Sequence, residues 1–200
     1  MVMATGARRT AAVVASGALA LGAVFAAAPA ASADRLGDKQ PATLEAEIAA
    51  LPWTTYSEGD EGYTVRAVQH LLAGAADYAP GDDGYDGVYD ADVTAAVTGY
   101  QDSNDIPDSG DVDTETWAEL RDWYGEAGPG SSGHKVSAAQ SMLVEHGYLE
   151  ESQIDGIYGS NTTEAVKAFQ ADTCDSEGQC LESDGWVGPL TFRALATGGI

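Results

Sequence analysis

Positive charge is what this 200-residue sequence lacks most: 9 Lys and Arg stand against 32 Asp and Glu, a formal net charge of −23. Nucleic acids and anionic membrane surfaces bind proteins by exchanging counterions for Lys and Arg, so partners of both kinds are excluded. Cysteine is nearly as scarce. Cys174 and Cys180 have no His close to them in sequence, which argues against a zinc site. The three histidines, His70, His134 and His146, form no H-E-x-x-H pair, so neither a metallopeptidase centre nor any cofactor is expected. The run from Gly81 to Asp86 has the acidic look of a calcium loop. Counted over twelve residues from Asp82, however, it ends at Val93 instead of Glu, and it reads as a solvated turn. Strict apolar–polar alternation, the mark of half-buried strands, is absent too. What is present, 44% hydrophobic residues, is enough to build a packed core.

Acidic residues are missing altogether from Met1 to Ala33. Arg8 and Arg9 precede an apolar run from Ala11 to Ala28, and Pro29 leads to Ala31-Ser32-Ala33, the pattern of a cleaved secretory signal. A membrane anchor fits less well, because the run is mostly Ala and Gly, is barely long enough to span, and ends without a positive stop. The expectation is a secreted protein, extracellular or wall-associated, with no membrane attachment after cleavage and a net charge of −25 once the two arginines are gone. In an oxidising compartment Cys174 and Cys180 are expected to form a local disulfide.

The rest of the chain is one unit written twice. Val65, Val68, Gln69 and Leu72 are matched 71 residues later by Val136, Ala139, Gln140 and Leu143. Asp86-Gly87-Val88-Tyr89 returns at a spacing of 69 as Asp155-Gly156-Ile157-Tyr158, and Tyr100-Gln101 as Phe169-Gln170. Gly110, Val112, Thr116, Trp117 and Leu120 return at a spacing of 75 as Gly185, Val187, Thr191, Phe192 and Leu195. The six extra residues fall where Cys174 and Cys180 lie, so the disulfide belongs to an insertion in the second copy.

Apolar positions 65, 68, 71 and 72, then 93, 96, 97 and 100, then 117, 120 and 124 follow helical spacing, which predicts three short helices per copy. Asp90 and Asp113 are expected N-caps, with Gly159 and Gly188 in the same slots of the second copy and Pro189 at a first helical position. The fold class is therefore all-α, two tandem three-helix domains. The boundaries are 1–33 signal, 34–58 leading segment, 59–124 first domain, 125–133 linker and 134–197 second domain. Leu44, Ile48 and Leu51 predict an extra helix in the leading segment, capping the first domain. The Gly/Ser/Pro composition of the linker predicts a flexible tether.

Both copies resemble the peptidoglycan-binding domain family, wall-targeting modules of bacterial hydrolases. The second copy carries the likeness best, through Gly133, Val136, Gln140 and Leu143, then Asp155-Gly156-Ile157-Tyr158-Gly159 with Thr162, then Ala165-Val166 with Phe169-Gln170, and finally Asp184, Gly185, Val187, Gly188, Pro189 and Thr191. The first copy departs from it at Asp90, Val93 and Asp111 to Asp113. The resemblance implies a non-catalytic protein whose partner is peptidoglycan, glycan strand or stem peptide. Expected contact residues are Asp86, Tyr89, Asp155, Tyr158, Asn161 and Trp186. For the two Asp-Gly turns the alternative is purely structural turn chemistry, for the two tyrosines it is a place in the core, and for Trp186 it is covering a core end. Gln69 and Gln140 read as buried amides that bond turn backbone. Because the resembling modules normally serve an attached hydrolase that is not visible here, the alternative function is an extracellular interaction module that regulates or escorts a cell-wall hydrolase.

Overall fold

The computed structural model describes residues 41–81 and 84–199. The expected signal segment, and Asp82 and Asp83 of the acidic turn, lie outside the described residues. The fold is all-α, with seven α-helices among the described residues: α1 (Ala42–Ala50), α2 (Tyr63–Ala75), α3 (Ala91–Ser103), α4 (Thr114–Tyr124), α5 (His134–Glu145), α6 (Ser160–Asp172) and α7 (Pro189–Thr197). Helices α2 to α4 build the first repeat and α5 to α7 the second. The caps are those the sequence predicts. The Asp90 carboxylate accepts from the N–H groups of Asp92 and Val93, and that of Asp113 from Thr116 N–H, while Gly159, and Gly188 followed by Pro189, open α6 and α7. Isolated antiparallel bridges tie the lead-in of each repeat to its own turns: Tyr56 with Val112 and Glu61 with Val88, then Ala127 with Val187 and Ser132 with Ile157.

The flexible tether between repeats is not what the structure contains. The described residues all belong to one compact unit, and α2 packs along α5. The two helices run antiparallel: Glu145 at the end of α5 accepts from Tyr63 N–H at the start of α2, and Gly74 near the end of α2 approaches His134 at the start of α5. From Thr64 to Leu72 only Arg66 in α2 is not buried, and α5 is buried continuously from Val136 to Leu143. A helix apolar or small on every side belongs inside a core, and here its second face is the other repeat. An aromatic cluster crosses the same boundary. Trp53 stacks on Trp117 at 5.6 Å, and Phe192 of α7 meets both Trp117 and Tyr124 of α4, at 6.3 and 4.7 Å. The linker itself is packed: Ala127 is buried, Gly128 lies under the Trp186 ring, and the Lys135 ammonium donates to the carbonyls of Trp123 and Tyr124. Its glycines and serines make turns, and apolar burial on both sides holds those turns still.

Helix α1 exists as predicted but sits on the other repeat. Leu44 and Ile48 are buried, and α1 packs on α7. Arg193 of α7 donates to the carbonyls of Ile48, Ala49 and Leu51, at 2.8, 2.9 and 2.6 Å, satisfying the open end of α1 with a cation. The insertion closed by the Cys174–Cys180 disulfide holds the other end. Thr43 donates to Asp175 at 2.8 Å, and the Ser176 hydroxyl to Glu47. Those partners exist only in the second repeat, which is why α1 docks there.

Candidate functional site

One device positions the candidate residues of the turns, and it occurs four times. After α2, α3, α5 and α6 the chain makes a turn in which a buried Gln from the preceding helix grips a Gly-centred loop. Gln140 donates to the Asp155 carboxylate, the Ile157 carbonyl and the Thr162 hydroxyl, and accepts from the N–H groups of Asp155 and Gly156. Gln170 does the same with Asp184, Trp186, Thr191 and Gly185. In the first repeat Gln101 holds Ser109, Asp111, Thr116 and Gly110. Gln69 holds Asp86, Val88 and Gly87, with Val93 where the other three turns have Thr. Gly87 has φ 79° and lies so close to α2 that a Cβ would come within 2.7 Å of the Gly62 carbonyl; only glycine fits there. Sequence reasoning identified Gln69 and Gln140 as buried amides. It missed that Gln101 and Gln170 are the same device, although both recur one loop ahead of Gly110 and Gly185.

The clamp decides what Asp86 and Asp155 can do. In each, Oδ1 is taken by the Gln amide and by the N–H two residues on, leaving Oδ2 without a protein partner among the described residues. Donation from Gln140 and from Ile157 N–H holds the Asp155 carboxyl below its ordinary range. At Asp86 partial burial pushes upward, but donation from Gln69 and Val88 N–H, with Arg66 nearby, outweighs it and the net shift is downward. Both carboxylates are exposed and stay charged. Ile157, in the same turn as Asp155, is 61% exposed, a large apolar side chain facing solvent.

Tyr89 and Tyr158 are not available to stack on a sugar. Both are buried, and each hydroxyl donates at 2.8 Å to a carbonyl of the repeat's next turn, Gly110 for Tyr89 and Gly185 for Tyr158. Burial pushes both phenols far upward. They plug the core because the residue after the half-buried Val88 or the exposed Ile157 points inward, into the space between the two turns. Trp186 is half-buried with its ring against Gly128. Asn161 is exposed on the first turn of α6.

Two concavities lie near these residues. A cleft of 210 Å³ between the repeats is lined by Glu61, Tyr63, Arg66 and Asp86 of the first and Glu151 of the second, with Arg66 paired to Glu151 at 2.9 Å. A wider trough of 360 Å³ on the second repeat includes Asn161. The inter-repeat packing also buries His70 beside Tyr85 and His134, at ring distances of 4.1 and 5.9 Å. Burial first, then the neighbouring His134 and Arg66, push His70 down to about 3, so it is neutral at ordinary pH. Among the described residues no group of three or more His, Cys, Asp or Glu is placed to hold a metal ion, and no helix is long and apolar enough to cross a membrane.

No curated protein and no solved structure matched the chain. The peptidoglycan binding domain family matches it twice, over residues 61–120 and 132–195. Those spans each contain two clamped turns, the two helices that carry the Gln residues and most of the third helix. The chain belongs to the peptidoglycan binding domain family, with two copies of the domain fused across α2 and α5.

Proposed function

We propose that this chain is an exported, non-catalytic protein that holds bacterial peptidoglycan as one rigid two-repeat body. The observation that carries the reading is the extent of the family match. Outside 61–120 and 132–195 the described residues supply α1 and short connections, too little for a separate catalytic domain. Export is supported by the Arg-then-apolar pattern of residues 1–33 and by the Cys174–Cys180 disulfide, a bond that persists in oxidising compartments.

Binding surfaces on a fused body work differently from tethered modules. Their separation is fixed, so engaging two points on one polymer orders no linker, and the second contact carries little extra entropic cost. Charge limits where attraction arises. Anionic wall polymers repel a protein of this composition, although the Debye length of about 8 Å at physiological salt screens distant repulsion. The unclaimed oxygens of Asp86 and Asp155 suit amines of the stem peptide.

Co-sedimentation of the full chain, without residues 1–33, with purified sacculi tests the reading. It should pellet with sacculi in 0.15 M salt and release no soluble fragments from labelled wall. Protein that stays in the supernatant overturns the binding claim, and steady release of fragments overturns the non-catalytic one.

A further inference from the structure

The trough on the second repeat is lined by small apolar side chains, Ala165 and the exposed Ala168 on α6, with the buried Leu149 and an otherwise polar set of residues. One wall is Tyr148, whose orientation is fixed twice: edge-on contact with Phe169 at 5.5 Å, and donation from its hydroxyl to Asp172 at 3.0 Å. The rim is polar and unengaged. Asn161 and Glu164 lie three residues apart on one face of α6, and neither side chain has a partner among the described residues. Gln153 also lines the trough; its Oε1 accepts from Glu150 N–H and its amide NH₂ is left over.

The kind of ligand follows from what this rim offers. Two amides donate to and accept from hydroxyls and a carbonyl, one carboxylate accepts from hydroxyls, and an aromatic ring with small apolar side chains suits the flat face of a sugar ring. One carboxylate without a cation disfavours an anion, and it is a poorer host for an amine than the inter-repeat cleft, where Glu61 and Asp86 stand beside the Arg66–Glu151 pair. A volume of 360 Å³ lies in the range of about 300–1,000 Å³ usual for small-ligand sites. The first repeat has no counterpart: at the 69-residue spacing Asn161, Glu164 and Ala168 are replaced by Asp92, Ala95 and Gly99, so neither the rim amide nor its carboxylate partner three residues on is kept.

We infer that this trough binds an N-acetylated amino-sugar ring of the glycan strand, with the acetamido methyl against Ala165 and Ala168 and its carbonyl accepting from the Asn161 or Gln153 amide. The inference rests on the wall-binding reading and assigns the glycan contact to the second repeat alone.

The test titrates the full chain without residues 1–33 with a neutral hexamer of N-acetylglucosamine, followed by amide NMR shifts, with cellohexaose as the analogue lacking the acetamido group. Saturable shifts at residues 148–168, at least tenfold weaker with cellohexaose, are expected. Asn161→Ala and Ala168→Glu, both at exposed positions, should each weaken hexamer binding at least fivefold while the remaining amide spectrum stays folded. No saturable shifts in the trough, equal binding of cellohexaose, or unchanged affinity in both variants overturns the inference. If sacculi still pellet the protein in any of those cases, the glycan assignment fails while wall binding stands; if sacculi fail as well, both fail.

Discussion

Replacing Gln140 by Met keeps the side-chain length and removes every hydrogen bond of the third clamp. Gln140 is almost wholly buried and makes at most four full bonds, its two amide hydrogens shared among three acceptors and its Oε1 accepting twice. At about 1 kcal/mol net for each, reduced because water reaches the part-buried side of the turn, Gln140→Met should cost about 3 kcal/mol. For a body of this size that lowers Tm by roughly 6–12 °C. Gln69→Met should cost less, about 2 kcal/mol, because Val93 stands where Thr162 accepts in the second repeat and Gln69 makes three bonds. Urea unfolding followed by far-UV circular dichroism measures both. Since α2 and α5 share one interface, each variant should shift a single transition for the whole body. A loss below about 1 kcal/mol for Gln140→Met, or a larger loss for Gln69→Met, refutes the clamp argument. Two separated transitions refute the fusion. In the same Gln140 variant the Asp155 carboxyl, which loses its main donor, should titrate at higher pH by NMR.

Three further outcomes follow from the packing. His70 has a folded-state pKa of about 3 against 6.5 when unfolded, so its neutral form contributes stability that is full above pH 6.5 and declines as pH falls toward 3. His70→Leu should remove about 2 kcal/mol of the stability difference between pH 7 and pH 4.5, measured by urea unfolding at both; an unchanged difference rejects the burial argument. Gly128→Ala drives a Cβ into the Trp186 ring and should destabilise by about 2 kcal/mol with altered tryptophan emission, whereas wild-type stability shows that the linker gives way. Replacing Cys174 and Cys180 by Ser opens a short loop worth about 2 kcal/mol, and hydrogen exchange should rise first in residues 42–50, which that loop holds; unchanged protection of α1 contradicts its docking.

Features that depend on local pattern were legible in the sequence. The helices follow from 3.6-residue spacing, the caps from Asp90 and Asp113, and the disulfide insertion from the step between the 69- and 75-residue spacings. What failed depends on surfaces meeting at a distance. Gly125 to Gly133 has loop composition, which signals turns and says nothing about whether those turns are packed. The fusion is written instead in the unbroken burial of α2 from Thr64 to Leu72, Arg66 apart, and of α5 from Val136 to Leu143, more small and apolar positions than one helix face accounts for. Tyr89 and Tyr158 were ambiguous for the same reason, since each is buried by a carbonyl from the next turn, 21 and 27 residues away. Of the six expected contact residues, Asp86, Asp155 and Asn161 are exposed and Trp186 is half-exposed; the two tyrosines are not.

The most direct test of the central claim is to titrate isotope-labelled protein, lacking residues 1–33, with muramidase-solubilised peptidoglycan and map amide shifts. The account predicts saturable changes on the exposed surfaces around Asp86, around Asp155 with Ile157, and along residues 148–168, with α2 and α5 keeping their mutual packing. A spectrum left unmoved at saturating fragment, or changes confined to residues elsewhere on the body, would contradict it.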